Sequence, residues 1–229
     1  MTLLRTMAFA TGLACLAAGS AAAQLEDEQA PIIVGPMAGV SFSTLRGAGV
    51  GDADVRAGFL GGGFVTISIS PNFAVEPQVF YVQKGANYHA DSAGTQLSSS
   101  RALSYIEIPL LFKARYPVGT ARWPLIVSAI AGPAIAIRTG CTYTDPSGTQ
   151  VDCGKQPGTD SNMQEVQVAN LDLSASFGVG LDFSHFAFQA RYDYSFTNLF
   201  TYPNVNYPYT TDIKNQAWFL TLGYKIAID

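Results

Sequence analysis

The sequence predicts an all-β protein: an eight-stranded antiparallel up-and-down barrel that crosses a membrane. Three observations carry this prediction. Trp218, Leu220, Leu222, Tyr224, Ile226 and Ile228 alternate with Ala217, Phe219, Thr221, Gly223, Lys225 and Ala227. A strand sends successive side chains to opposite faces, so this stretch is a two-faced strand. Similar stretches recur along the chain, and their apolar faces carry no charge. Between them, long polar segments and short turns alternate, as the loops of outer-membrane barrels do.

Composition supports the same class. Only 13% of the 229 residues are charged and 48% are hydrophobic, with a formal charge of −4. An ordinary soluble domain carries about 25% charged residues. The chain is short of solvating charge, and its mildly acidic balance gives no footing for nucleic acid.

Residues 1–23 read as a secretory signal peptide. Arg5 supplies the positive start, Met7 to Ala18 the apolar run, and Ala21-Ala22-Ala23 the small residues before a cleavage site ahead of Gln24. The apolar run is too short for a spanning helix. Cys15 lies within it, but Gly12 stands where a lipoprotein signal needs Leu. Residues 24–31 are expected to form a short, acidic periplasmic lead-in, and 32–229 the barrel domain.

Eight strands are predicted at 32–43, 57–70, 73–86, 102–116, 124–138, 169–183, 186–198 and 215–228. Long polar segments fall at 44–56, 87–101, 139–168 and 199–214. Short turns fall at Pro71-Asn72, 117–123 and Ser184-His185. An even strand count puts both termini on the short-turn, periplasmic side.

Charge decides which face meets lipid. In 169–183 the series Leu171 to Phe183 opposes Asp172, Ser174, Ser176, Gly178, Gly180 and Asp182. In 186–198 the series Phe186 to Phe196 opposes Gln189, Arg191, Asp193 and Ser195. A cation on the lipid face at mid-membrane costs about 2–4 kcal/mol. The competing reading is a soluble barrel with its apolar face inside. It predicts a charge-rich outer face, whereas the polar face here is mostly Gly, Ser, Ala and Thr. Aromatic residues add two girdles: Tyr116, Trp123, Phe183, Phe186 and Tyr224 near the short turns, and Phe42, Phe59, Tyr81, Phe196 and Trp218 near the long loops.

With eight strands the lumen is just wide enough for side chains to fill, so no open pore is expected. Glu76, Lys84, Glu107, Lys113, Arg115, Asp172, Asp182, Arg191, Asp193 and Lys225 are predicted to face inward, with Arg138 near a rim. Both signs balance, and buried charges are costly unless paired, so a self-neutralising network is expected. A gated polar path is the alternative. Cys141 and Cys153 share one polar loop. In an oxidising compartment they are candidates for a disulfide, with free thiols or a metal site as the other readings.

Enzymatic readings are thin. His89 and His185 are the only histidines. His89 is followed by Asp91, Ser92 and Ser98 to Ser100, residue types of a hydrolase triad, but a Ser-rich loop supplies such neighbours by composition. His, Cys and Met spacing gives no metal motif, and no cofactor motif is present. No enzymatic activity is expected. Tyr202, Tyr207 and Tyr209, with Pro203 and Pro208, make an aromatic, proline-stiffened outer loop suited to a protein or glycan partner, or to packing over the barrel mouth.

Three segments resemble the PorT-like outer-membrane β-barrel family. They are Val75-Glu-Pro-Gln-Val-Phe-Tyr-Val-Gln-Lys-Gly85, Tyr105-Ile-Glu-Ile-Pro-Leu-Leu111, and Ala131-Gly-Pro133 followed by Gly178-Val-Gly180 and Arg191-Tyr192. The resemblance covers most of the mature chain and implies a small barrel in the cell outer membrane. Such a location brings lipid as its surroundings and barrel-assembly machinery for its insertion. The family's name-giving member is associated with secretion and gliding machinery; most relatives have no assigned activity. The expected role is therefore structural or loop-mediated binding. A narrow or secretion-associated channel and an envelope enzyme are the alternatives.

Overall fold

A computed structural model describes residues 32–47, 53–92, 95–120, 122–153, 167–201 and 212–228. The elements in chain order are β1 (Ile32–Arg46), β2 (Ala53–Ser70), β3 (Phe73–Ser92), β4 (Thr95–Pro117), β5 (Leu125–Thr144), β6 (Gln150–Asp152), β7 (Gln167–Val168), β8 (Leu171–Phe183), β9 (Phe186–Ser195), β10 (Phe200–Thr201), β11 (Lys214–Tyr224) and β12 (Ile226–Ile228). Each long strand pairs antiparallel with its sequence neighbours. β11 then pairs with β1, from Met37↔Gly223 to Arg46↔Lys214, and closes the ring. The eight-stranded barrel is formed by β1 to β5, β8, β9 and β11, with β12 prolonging the last strand.

The faces point as the charge pattern requires. Trp218 and Leu220 are 55% and 48% exposed, whereas Phe219 and Thr221 are 0% and 7%. The exposed apolar belt includes Val40, Phe59, Val79, Ile108, Phe112, Phe177 and Leu222, while Glu76, Lys84, Glu107, Lys113, Asp172, Arg191 and Asp193 lie buried. This exposure would be unfavourable in water and favourable in hydrocarbon. At the short-turn end of the belt Trp123 stacks on Phe183, with ring centres 6.1 Å apart, and Phe186 meets Tyr224 edge-on. At the other end Tyr192 packs on Trp218 and Phe59 on Tyr81.

The strands outlast their apolar patterning. In two segments predicted as loops, 44–56 and 87–101, the described residues are strand except Gly47. β3 and β4 stay paired from Gly85↔Ala102 out to Ser92↔Thr95. In this hairpin Ala86 is buried and Tyr88 packs against the core, while His89 and Ser98 are exposed, so the alternation that lipid imposes fades while the backbone ladder continues. The predicted loop 139–168 likewise opens with strand: β5 runs on to Thr144 and β6 folds back on it. The predicted last strand is interrupted at Lys225, opposite the stretch of β1 that carries Pro36. A proline has no N–H to give the ladder.

Gly61-Gly62-Gly63 lies in regular register between β1 and β3. The irregularities in the pairing of β2 with β3 fall between Val55 and Leu60 and between Ser68 and Ser70. Gly62 is needed for close approach: a Cβ there would meet the Val79 carbonyl at 2.1 Å and Phe80 Cβ at 2.6 Å. Gly223 similarly leaves room for the inward ring of Phe64, which would stand 2.6 Å from an added Cβ.

Candidate functional site

The polar faces of the strands converge on one lumen. All ten charged residues predicted to face inward lie along it, and the charges balance, five acids against five bases. Glu76, Lys84, Glu107, Lys113, Arg115, Asp172, Asp182, Arg191 and Asp193 are buried, and Lys225 is partly exposed.

The half nearer the short turns is organised around Glu76. Its Oε2 accepts from the Thr66 hydroxyl (2.5 Å) and from Lys113 Nζ (2.9 Å). Its Oε1 accepts from Gln189 (2.6 Å) and Gln78 (2.8 Å). Gln78 Oε1 in turn accepts from Arg191 Nη1 at 2.6 Å. Toward the turns, Asp182 lies 3.6 Å from Lys113 and 3.9 Å from Lys225. Arg115 donates to the Ser70 carbonyl (2.6 Å) and the Ser68 hydroxyl (3.1 Å). Both Glu76 oxygens are thus doubly satisfied. A buried carboxylate can remain ionised under such conditions.

The outer half is built differently. Phe80 and Phe219 meet edge-on across the lumen, 6.0 Å between ring centres, and the Arg191 guanidinium lies 5.4 and 5.5 Å from their centres. Lys84 Nζ stands 2.6 Å from Glu107 Oε2 and 3.9 Å from Asp193. The first contact is a close ion pair, and no second donor reaches Glu107 among the described residues comparable to the four that meet Glu76. Ser176 donates to Asp193 at 2.6 Å. Asn215 and Ser195 donate to Asp172, and Asn215 also reaches the Tyr105 hydroxyl.

Above this layer the mouth is covered. Leu199 and Phe200 are buried in one cluster with Leu45, Leu103, Cys141 and Cys153. The Leu199 N–H donates to the Ile213 carbonyl, and the Leu199 carbonyl accepts from the Ala169 N–H, both at 2.8 Å. Phe200 pairs with Val168. Cys141 and Cys153 form a disulfide with Cα atoms 5.4 Å apart, fastening the end of β6 to β5. Arg101 lies over Phe200, 4.6 Å from its ring centre. Arg138 holds the chain entering β8, through the Val168 and Ala169 carbonyls and Asn170.

Tyr202, Tyr207 and Tyr209 lie outside the described residues, as does the signal and lead-in region 1–31. His185 sits in the tight turn. His89 Nδ1 is 2.7 Å from Asp54, and Ser98 is its cross-strand neighbour. These three side chains share one face of adjacent strands. The His89 and Asp54 side chains are 53% and 64% exposed, and the pair stands open to water, which weakens any charge stabilisation a reaction needs. Among the described residues no three His, Cys, Asp or Glu side chains gather as a metal site.

Several lumenal partners were not singled out in the sequence: Thr66, Gln78, Asn215, Phe80 and Tyr105, and Gln189 was placed on the polar face without a role. Parity alone could have found them. Gln78 and Phe80 fall in step with Glu76 and Lys84; Gln189 falls in step with Arg191 and Asp193.

The profile of a family described as "Outer membrane protein beta-barrel domain" matches residues 22–201. Two solved structures show likeness. The attachment invasion locus protein Ail of Yersinia pestis, crystallised with the heparin analogue sucrose octasulfate, is 14% identical. The match covers 85% of this chain and 99% of that one, with a TM-score of 0.41. The N-terminal β-barrel domain of Pseudomonas aeruginosa OprF is also 14% identical, over 83% and 97% of the two chains, with a TM-score of 0.32. No curated protein matches significantly.

Proposed function

The chain belongs to the outer membrane protein beta-barrel domain family and lies in the outer membrane, and from that premise we propose that it is a sealed barrel serving as a rigid platform for an outer binding surface. The observation that supports this best is the filled lumen beneath a covered mouth. Glu76 ties β2, β3, β4 and β9 together through hydrogen bonds. Farther out, Phe80 and Phe219 occupy the lumen, and Leu199, Phe200 and the disulfide close over it. Energy placed in a closed, cross-braced wall supports presentation of loops more readily than passage of solute.

On this reading the partner is a protein or glycan met by the outer loops, with Tyr202, Tyr207 and Tyr209 as aromatic anchors on a proline-stiffened segment. Residues 1–23 act as an export signal and 24–31 as a periplasmic lead-in. Assembly machinery inserts the barrel, and the chain performs no turnover. A PorT-like kinship is part of the proposal, supported by the Glu76-Pro77, Gln83-Lys84-Gly85 and Glu107-Ile108-Pro109 segments.

The test has two arms. In planar bilayers the purified barrel gives no stepwise current. On glycan and protein arrays it shows a ligand whose capture falls at least about tenfold when Tyr202, Tyr207 and Tyr209 are replaced by Ser. Reproducible single-channel steps, or capture indifferent to those replacements, would contradict the proposal.

A further inference from the structure

The short-turn end of the barrel carries a cavity unrelated to the outer surface. Its volume is about 510 Å³, and it is lined by Ile33 of β1, the turn residues Ser184 and His185, and Tyr224, Lys225 and Ile226 where the last strand is interrupted. Its origin is local. β9 ends its pairing with β11 at Phe186↔Tyr224, whereas β12 pairs with β1 alone, from Val34↔Ile226 to Ile32↔Ile228. The Lys225 N–H goes to the His185 carbonyl at 2.6 Å. The last strand therefore bends away below the turn, and the space opens between them.

Two features fix what such a space would take. The first is its polar lining. The His185 ring lies nearly parallel to Tyr224, ring centres 5.8 Å apart, and its Nδ1 is 3.1 Å from the Ser184 hydroxyl. The only carboxylate paired with Lys225 among the described residues is Asp182, at 3.9 Å. The second feature is the charge of the surrounding layer. Asp182 is shared with Lys113, and Glu76 is already committed, so among the described lumenal residues three cations (Lys113, Arg115 and Lys225) face two carboxylates at this end. The five lumenal acids and five lumenal bases balance only because the outer half carries the opposite excess. A cationic surplus next to a hydroxyl and an imidazole suits an anion with several acceptor oxygens. Ile33 and Ile226 add an apolar wall, and the cavity adjoins the girdle residues Phe186 and Tyr224, the depth at which lipid head groups begin.

We propose that this cavity binds a phosphate ester of net negative charge, with Lys225 as the charged contact and His185 and Ser184 as hydrogen-bonding partners. A phospholipid head group and a soluble phosphate ester share that chemistry. The apolar wall favours the lipid. The site is independent of the platform role, since it lies at the opposite end of the barrel from the loops.

The full-length mature barrel in a zwitterionic detergent is titrated with short-chain phosphatidylglycerol, phosphatidylcholine of equal chain length, and glycerol phosphate. Native mass spectrometry follows binding. Phosphatidylglycerol is expected to bind at least about tenfold more tightly than phosphatidylcholine, the scale of one charge-assisted contact. Lys225→Met is expected to abolish that preference, Lys225→Arg to keep it, and His185→Gln to weaken it. Gel mobility with and without boiling verifies that each variant remains folded. Equal binding of glycerol phosphate would identify the soluble ester as the source. Absence of any preference in the unaltered barrel would overturn the proposal, as would a preference unchanged in folded Lys225→Met.

Discussion

The two halves of the lumen solve one packing problem by different means. Near the short turns the space is filled by a polar network in which each Glu76 oxygen has two donors. Near the outer mouth it is filled by Phe80, Phe219 and Tyr105, with the Lys84–Glu107 pair set among rings and less fully hydrogen-bonded. Each half then closes in its own way. The inner half ends in tight turns, whereas the outer half ends in a disulfide-fastened cap. The difference suggests a division of labour. Polar bonding fixes strand positions across the barrel near the periplasm, and apolar packing excludes water below the surface that faces outward.

The largest expected effect breaks the inner half. Glu76→Ala leaves Lys113 without its closest carboxylate and strips three other donors of their acceptor, at a cost of about 3–5 kcal/mol. Urea unfolding in micelles should show it. The disulfide comes next. Replacing Cys141 and Cys153 together by Ser releases a loop whose ends are 12 residues apart, a loss of about 3 kcal/mol in the chain-entropy account. Hydrogen exchange should rise around β6 and Phe200 while the Glu76 layer keeps its protection. Glu107→Ala should cost less than either, about 1–3 kcal/mol, because it strands Lys84 alone, whereas Glu76→Ala also strands Thr66, Gln78 and Gln189. A Glu107→Ala penalty equal to that of Glu76→Ala would erase the proposed distinction between the halves.

The smallest effect lies outside the membrane. The Asp145 carboxylate accepts from the Ser147 hydroxyl and from the Thr149 and Ser147 amides, which hold its pKa below the usual carboxylate range. A depressed pKa stabilises the folded turn above the ordinary carboxylate value, and that stability is lost as pH falls through the depressed one. Thr149 amide protection, corrected for intrinsic exchange, should therefore decline below about pH 4, with the barrel itself unchanged.

The barrel was legible in the sequence because lipid imposes a rule on every second residue. Leu220 and Thr221 could be assigned to opposite faces without knowing their neighbours. The outer hairpin was not legible, since its polar run of Asn87, His89 and Ser98 to Ser100 carries no alternation of the kind lipid imposes. The inward direction of the charges was also readable, but their partners were not. Gln189 reaches Glu76 across 113 residues of chain, a contact set by barrel closure and register rather than by local spacing. His89 shows the same limit: the sequence offered Asp91 nearby, and the fold supplied Asp54 from the adjacent strand.

The direct test of the account is the environment of successive residues on the closing strand. Nitroxide labels placed one at a time from Ala217 to Tyr224, in barrels reconstituted into bilayers, report collisions with oxygen dissolved in lipid. The account predicts a period of two, with high accessibility at 218, 220, 222 and 224 and low accessibility at 217, 219, 221 and 223. Uniform accessibility, or the same period with its phase reversed, would contradict it.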